Sequence, residues 1–160
     1  MHSLNRLGST LLLSGLAVCT GSIATAATAT QEVSAADCFK PAFKAGDADA
    51  VAACYAEDGI IWFPGGPMAK GRAAIRDGFA GYFSNVSIKD VSLNPMGEET
   101  MGDTRASWGT YLITTVDKAT GAETAQHGRY TDVTKRIDGR WLYVADHPSD
   151  DPPSTHDAGH

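Results

Sequence analysis

Positive charge is scarce in this chain and does not gather anywhere: 13 Lys and Arg stand against 19 Asp and Glu over 160 residues, a formal net charge of −6. A polyanion-binding surface needs basic residues clustered on one face, so the composition argues against nucleic acid as a partner. Cysteine is scarce as well, and the three present show no paired C-x-x-C spacing, which excludes a zinc finger. Only 20% of residues are charged while 42% are hydrophobic, too apolar for a disordered chain and sufficient for one folded domain. Long apolar runs are missing except at the amino terminus, so no internal membrane span is expected.

That one run carries a targeting reading. MHSLNR contains Arg6 and leads into Leu11, Leu12, Leu13, Leu16 and Val18, an apolar stretch shorter than a spanning helix. Ala24-Thr25-Ala26 and Ala27-Thr28-Ala29 then offer the small residues that signal peptidase requires. Residues 1–26 are therefore expected to be a secretory signal peptide, and the mature chain to be periplasmic or secreted. Cleavage removes Arg6 and no acid, so 13 basic residues become 12 against 19 acidic ones and the net charge moves from −6 to −7. It also discards Cys19 and leaves Cys38 and Cys54, an even pair in an oxidising compartment. A disulfide between them closes a loop of about 17 residues, for which chain entropy suggests roughly 3 kcal/mol. Two buried free thiols are the alternative.

In the mature chain, Phe39 and Phe43 lie one helical turn apart in a first helix over residues 31–45, ended by Gly46. Asp47 is placed to cap a second helix over residues 47–58, with Val51, Cys54 and Tyr55 on one face. GIIWFPGGP reads as a strand and a turn, after which Ile75, Phe79, Tyr82 and Phe83 mark a third, amphipathic helix. Four segments rich in β-branched and aromatic residues follow, around 85–93, 105–116, 125–137 and 140–147, separated at Gly97, at 118–121 and at Asp138-Gly139. Short connections imply antiparallel pairing. The pattern predicts an α+β domain over residues 27–147, its helices packed on a curved antiparallel sheet, with residues 148–160 a flexible polar tail.

Three pieces of the chain resemble the nuclear transport factor 2-like superfamily, in its SnoaL-like and calmodulin-dependent kinase association domain-like branch. They are FKAGDADAVAACYAEDGIIWFPGG, KGRAAIRDGF and GRYTDVTKRIDGRWLYVADHPS, and with the spacing between them they cover residues 33–149. The resemblance implies a cone-like, strongly bent sheet wrapped around three N-terminal helices, enclosing a pocket and commonly dimerising through the sheet. Its members include steroid isomerases, cyclases, dehydratases and non-catalytic binding or oligomerisation domains, so the fold alone does not assign chemistry. In the isomerase comparison Asp132 falls where those enzymes hold a neutral carboxylic acid in an apolar site to donate a hydrogen bond. Phe39 falls at or near the oxyanion-hole tyrosine and Phe63 at the general base. Phenylalanine neither donates a hydrogen bond nor takes a proton, so that mechanism does not operate here in its known form.

Strand alternation puts Gln126, Tyr130, Asp132 and Thr134 on one face, and Leu142, Val144 and Asp146 on the matching face of the last strand. The candidate catalytic set is Asp132, Asp146, Tyr130 and His127. The candidate ligand pocket is Phe39, Trp62, Phe63, Phe79, Phe83, Gln126 and Val144. Two carboxyls, a phenol and an amide in apolar surroundings suit a small-molecule site, and two close carboxyls can share one proton. The plainer reading pairs Asp132 and Asp146 with Arg129, Lys135 or Arg140, and treats Trp62, Trp108, Tyr111 and Trp141 as core or interface aromatics. The tail residues His156 and His160, with His147 and nearby aspartates, match no fixed tetrahedral spacing, so no metal or other cofactor is called for. The expected partners are a small apolar molecule and a second copy of the chain.

Overall fold

The computed structural model describes residues 32–152; the expected signal peptide and the end of the expected tail lie outside the described residues. Helix α1 spans Ala35–Ala45, begun by the Ser34 side chain, which accepts from the Asp37 N–H, and ended by Gly46 in the left-handed region. Helix α2 is only Ala48–Ala52, with Asp47 capping the Ala50 N–H at 2.9 Å. Strand β1 (Tyr55–Trp62), strand β2 (Met68–Lys70), helix α3 (Arg72–Asn85) and strands β3 (Val86–Met101), β4 (Thr104–Asp117), β5 (Glu123–Ile137) and β6 (Arg140–Asp150) complete the order. One curved, unclosed sheet of six strands runs β2-β1-β6-β5-β4-β3. None of the described helices is long and apolar enough to cross a membrane.

Several boundaries differ from the sequence expectation, each for a physical reason. The second helix stops at Ala52 because Tyr55 is claimed by the sheet. The Tyr143 N–H donates to the Cys54 carbonyl at 3.0 Å, and Tyr55 pairs with Tyr143 and is fully buried. A five-residue helix has too few internal hydrogen bonds to resist that pairing. Strand β1 lies parallel to β6. The short-connection argument holds for neighbours in sequence, whereas most of the domain intervenes between β1 and β6 and sets no hairpin constraint. Strand β3 continues through Gly97 to Met101, and the register shift at Pro95–Gly97 is a bulge on an edge strand, where a missing N–H is tolerated. Strand β6 likewise continues past His147 to Asp150. Among the described residues its only partner beyond Asp146 is β5, so Pro148 sits on a local edge. The β5–β6 connection turns through Asp138 and Gly139, both at positive φ, as Asp-Gly hairpins require.

The core lies between the helices and the concave face of the sheet. Val51, Cys54, Tyr55 and Ile75 are fully buried, and Phe43, Phe79 and Phe83 pack with them. Cys38 in α1 is bonded to Cys54 just after α2, their Cα atoms 5.8 Å apart, so the disulfide staples the helical hairpin.

Candidate functional site

Between the helices and the sheet opens a cavity of roughly 880 Å³. Phe39 and Phe43 of α1, stacked with ring centroids 5.1 Å apart, form part of its wall with Phe63 and Phe79, whose rings meet edge to face at 5.2 Å. Its floor is the concave face of β4, β5 and β6. From β5, Gln126, Tyr130, Asp132 and Thr134 all reach the cavity, as the alternation predicts. Gly128 interrupts that row, and a Cβ there would strike the ring of Tyr111. The missing side chain lets Tyr111 lie across the strand and donate its hydroxyl to Asp150 at 2.5 Å.

On β6 the inward set differs from the expectation. Register passes from Val133 opposite Ala145 to Thr134 opposite Tyr143, which leaves Val144 unpaired in a bulge. Alternation restarts across that extra residue, so Trp141, Tyr143 and Asp146 line the cavity while Leu142 and Val144 do not. Three further sequence candidates lie elsewhere. His127 is exposed on the convex face, one residue out of phase with Gln126. Trp62 is out of phase with the cavity-lining Ile61; it is 41% exposed and packs its ring 5.6 Å from that of His147. Phe83 belongs to the packed core behind Phe79 rather than to the lining.

Asp132 and Asp146 are directly opposite each other across β5 and β6, and both are buried. Their hydrogen-bond partners are hydroxyls rather than the expected bases. Ser107 Oγ, opposite Asp132 on β4, donates to Asp132 Oδ1 at 2.5 Å, and Tyr55 Oη donates to Asp146 Oδ2 at 2.7 Å. Arg129 instead pairs with Asp151 at 2.8 Å. Burial pushes the Asp132 carboxyl up to about 6, with the Ser107 hydrogen bond and the Arg105 charge pulling the other way. Burial pushes Asp146 up to about 7, opposed by the Tyr55 hydroxyl and reinforced by the charge of Asp132. Tyr55 and Tyr143, whose rings lie 5.1 Å apart, are pushed upward by burial and then by Asp146. Chemically, the floor offers two carboxyls that take up or release protons near neutral pH, beside phenols that stay protonated.

Sequence reasoning missed Tyr55, Ser107, Tyr111, Tyr143 and Asp150 as parts of this floor. For Ser107 and Tyr111 the signal was alternation along β4; Tyr55 was hidden by its helical surroundings and Tyr143 by the bulge.

The bent sheet, the helices on its concave side and the cavity between them define the nuclear transport factor 2-like fold. A family model described as the SnoaL-like domain matches residues 35–144, and the chain belongs to that family. Among solved structures, a ketosteroid isomerase-like protein from Erwinia carotovora atroseptica is 26% identical with a TM-score of 0.67, covering 74% of this chain and 92% of its own. A candidate calcium/calmodulin-dependent protein kinase II association domain from Xanthomonas campestris is also 26% identical, with a TM-score of 0.60 and coverage of 73% and 83%. A candidate dehydratase of the NTF2-like family from Streptomyces avermitilis, 19% identical with a TM-score of 0.60 and coverage of 73% and 91%, shares the fold. No curated protein matches the chain.

Proposed function

We propose that this chain is an exported, cavity-bearing protein that binds a small, largely apolar molecule and works as a homodimer. The carrying observation is the cavity of roughly 880 Å³, a volume suited to a small organic ligand, walled by aromatic rings and floored by a few polar groups. Export is supported by the leader-like amino terminus and agrees with the Cys38–Cys54 disulfide. Dimerisation is supported by the aromatics on the convex face, where Trp62 and Trp108 are each 41% exposed, and by the likeness to association domains. Native mass spectrometry of the exported protein tests these points together. A dimer carrying a small molecule is expected; an empty monomer that takes up no apolar probe overturns the reading.

A second reading, catalysis near a carbonyl group, is favoured by the opposed carboxyls with their raised pKa values and by the isomerase-like neighbour. Here Asp132 acts as acid or hydrogen-bond donor, assisted by Asp146 and Tyr130. His127 has no part in it because it faces away from the cavity. Asp132→Asn should abolish turnover of an identified substrate while leaving the circular dichroism unchanged; undiminished turnover removes Asp132 from the mechanism.

A further inference from the structure

We propose that the cavity floor recognises a protonated amine, so that the ligand class is an apolar, ring-bearing organic cation. The inference rests on the reading of the cavity as a small-molecule site and supplies the chemistry of its polar end.

The argument begins with the hydrogen-bonding groups left open. Asp132 uses Oδ1 for Ser107, Asp146 uses Oδ2 for Tyr55, and Asp150 uses Oδ1 for Tyr111. Among the described residues nothing donates to the second oxygen of any of the three. The Tyr143 side chain is 5% exposed and lines the cavity, yet its hydroxyl has no hydrogen-bond partner among the described residues. Since no buried side-chain nitrogen or oxygen among the described residues is both sealed off and unpartnered, the open atoms of the buried lining residues Asp132, Asp146 and Tyr143 face the cavity, while Asp150 is exposed at its rim. A ligand that displaces solvent from these atoms must replace its hydrogen bonds, because a buried polar group left without a partner is costly.

The open set is rich in acceptors and poor in positive charge. Of the two cationic side chains that line the cavity among the described residues, Arg105 stacks 4.3 Å over the Trp141 ring and pairs with Glu98 at 3.7 Å, while Lys40 pairs with Asp37 at 3.9 Å. The groups facing Asp146 are Tyr55 from β1, Tyr143 from its own strand, and Asp132 and Tyr130 from β5. Arg105 and Glu98 act on Asp132 from β4 and β3. None of the facing groups brings a cation to Asp146. An ammonium supplies three donors and the missing charge, and the aromatic rings around the floor offer negative faces to it. A carboxylate ligand meets repulsion. A neutral carbonyl can take the Tyr143 hydroxyl but, once the acids are ionised, leaves their open oxygens without a donor.

The test compares naphthylmethylamine, naphthylmethanol and naphthoate, which share one apolar body, by calorimetric titration of the intact folded chain. At about pH 8, where both acids are ionised, the amine should bind about tenfold more tightly than the alcohol, and naphthoate least. The gap should close at about pH 5, where both acids are protonated, and narrow in Asp146→Asn at about pH 8, where Asp132 alone of the pair stays ionised. Equal or tighter binding of the alcohol overturns the cation inference and leaves the cavity reading standing. An amine advantage that persists at about pH 5 also overturns it. Failure of all three probes to bind removes the cavity reading and this inference with it. If Asp146→Asn does not fold, the pH arm on the unaltered chain gives the same decision.

Discussion

The buried acids of the cavity floor and the acids nearer solvent are the same chemical group in opposite circumstances. Asp132 and Asp146 sit among aromatic rings with a hydroxyl partner each, and their carboxyls are pushed up to about 6 and about 7 by burial. Asp90 is exposed and Asp117 half-buried, and both are held below the ordinary carboxylate range. Lys44 donates to Asp90 at 3.1 Å, while the N–H and hydroxyl of Thr120 and the Ala119 N–H donate to Asp117. The first pair costs the fold something and is compatible with a ligand; the second pair is already satisfied by neighbours and water. Sequence distance does not separate these classes, since Asp132 and Asp117 stand on adjacent strands of one sheet. Depth of burial does: Asp117 shares the inward phase of Ser107 and Tyr111 on β4 but stands at the end of the strand, where backbone and hydroxyl donors reach it.

The contrast can be broken most forcefully from below. Ile75, fully buried in α3, belongs to the packing that holds the helices over the concave face. Ile75→Ala should cost about 3 kcal/mol in urea unfolding, chiefly by leaving a cavity; a loss under about 1 kcal/mol would show that this end of the core is loosely packed.

Next in size is the titration of the floor. Between the ordinary carboxyl value of about 4 and the folded value of about 7, the folded chain keeps a proton on Asp146 that the unfolded chain has released. Stability is therefore expected to fall as pH rises through that window and to level off above it, with Asp132 adding to the fall up to about 6. Asp146→Asn keeps an oxygen for the Tyr55 hydroxyl, removes the buried charge, and should raise stability above about pH 7 by on the order of 2 kcal/mol while flattening the profile. Thermal melts across pH decide it. A slope unchanged in the variant would place the titrating group elsewhere. The smallest effect belongs to the exposed class: Asp90→Asn should leave the pH profile of Tm within its scatter near neutral pH, because its partner Lys44 is itself solvated. A clear shift there would erase the distinction between the two kinds of acid.

What was legible in the sequence was what depends on near neighbours. The helix cap at Asp47, the Gly46 stop, the Asp138-Gly139 hairpin and the inward row Gln126, Tyr130, Asp132 and Thr134 all follow from local backbone preference or from a period of two. The α+β class and the SnoaL-like resemblance follow from the order of such elements, and the family match agrees with them. The pairing of β1 with β6, the strand conformation of Tyr55 and the bulge at Val144 arise from contacts between segments far apart in the chain, and no local pattern encodes them.

Those three nonlocal features compose the floor. The bulge turns Tyr143 and Asp146 inward together, and the parallel pairing delivers the Tyr55 hydroxyl to Asp146. The sequence by itself therefore determined which residues are available and the kind of sheet they enter. Only the tertiary structure decided that two carboxyls would face each other in an aromatic cavity, because burial and side-chain direction are set by the packing of whole elements.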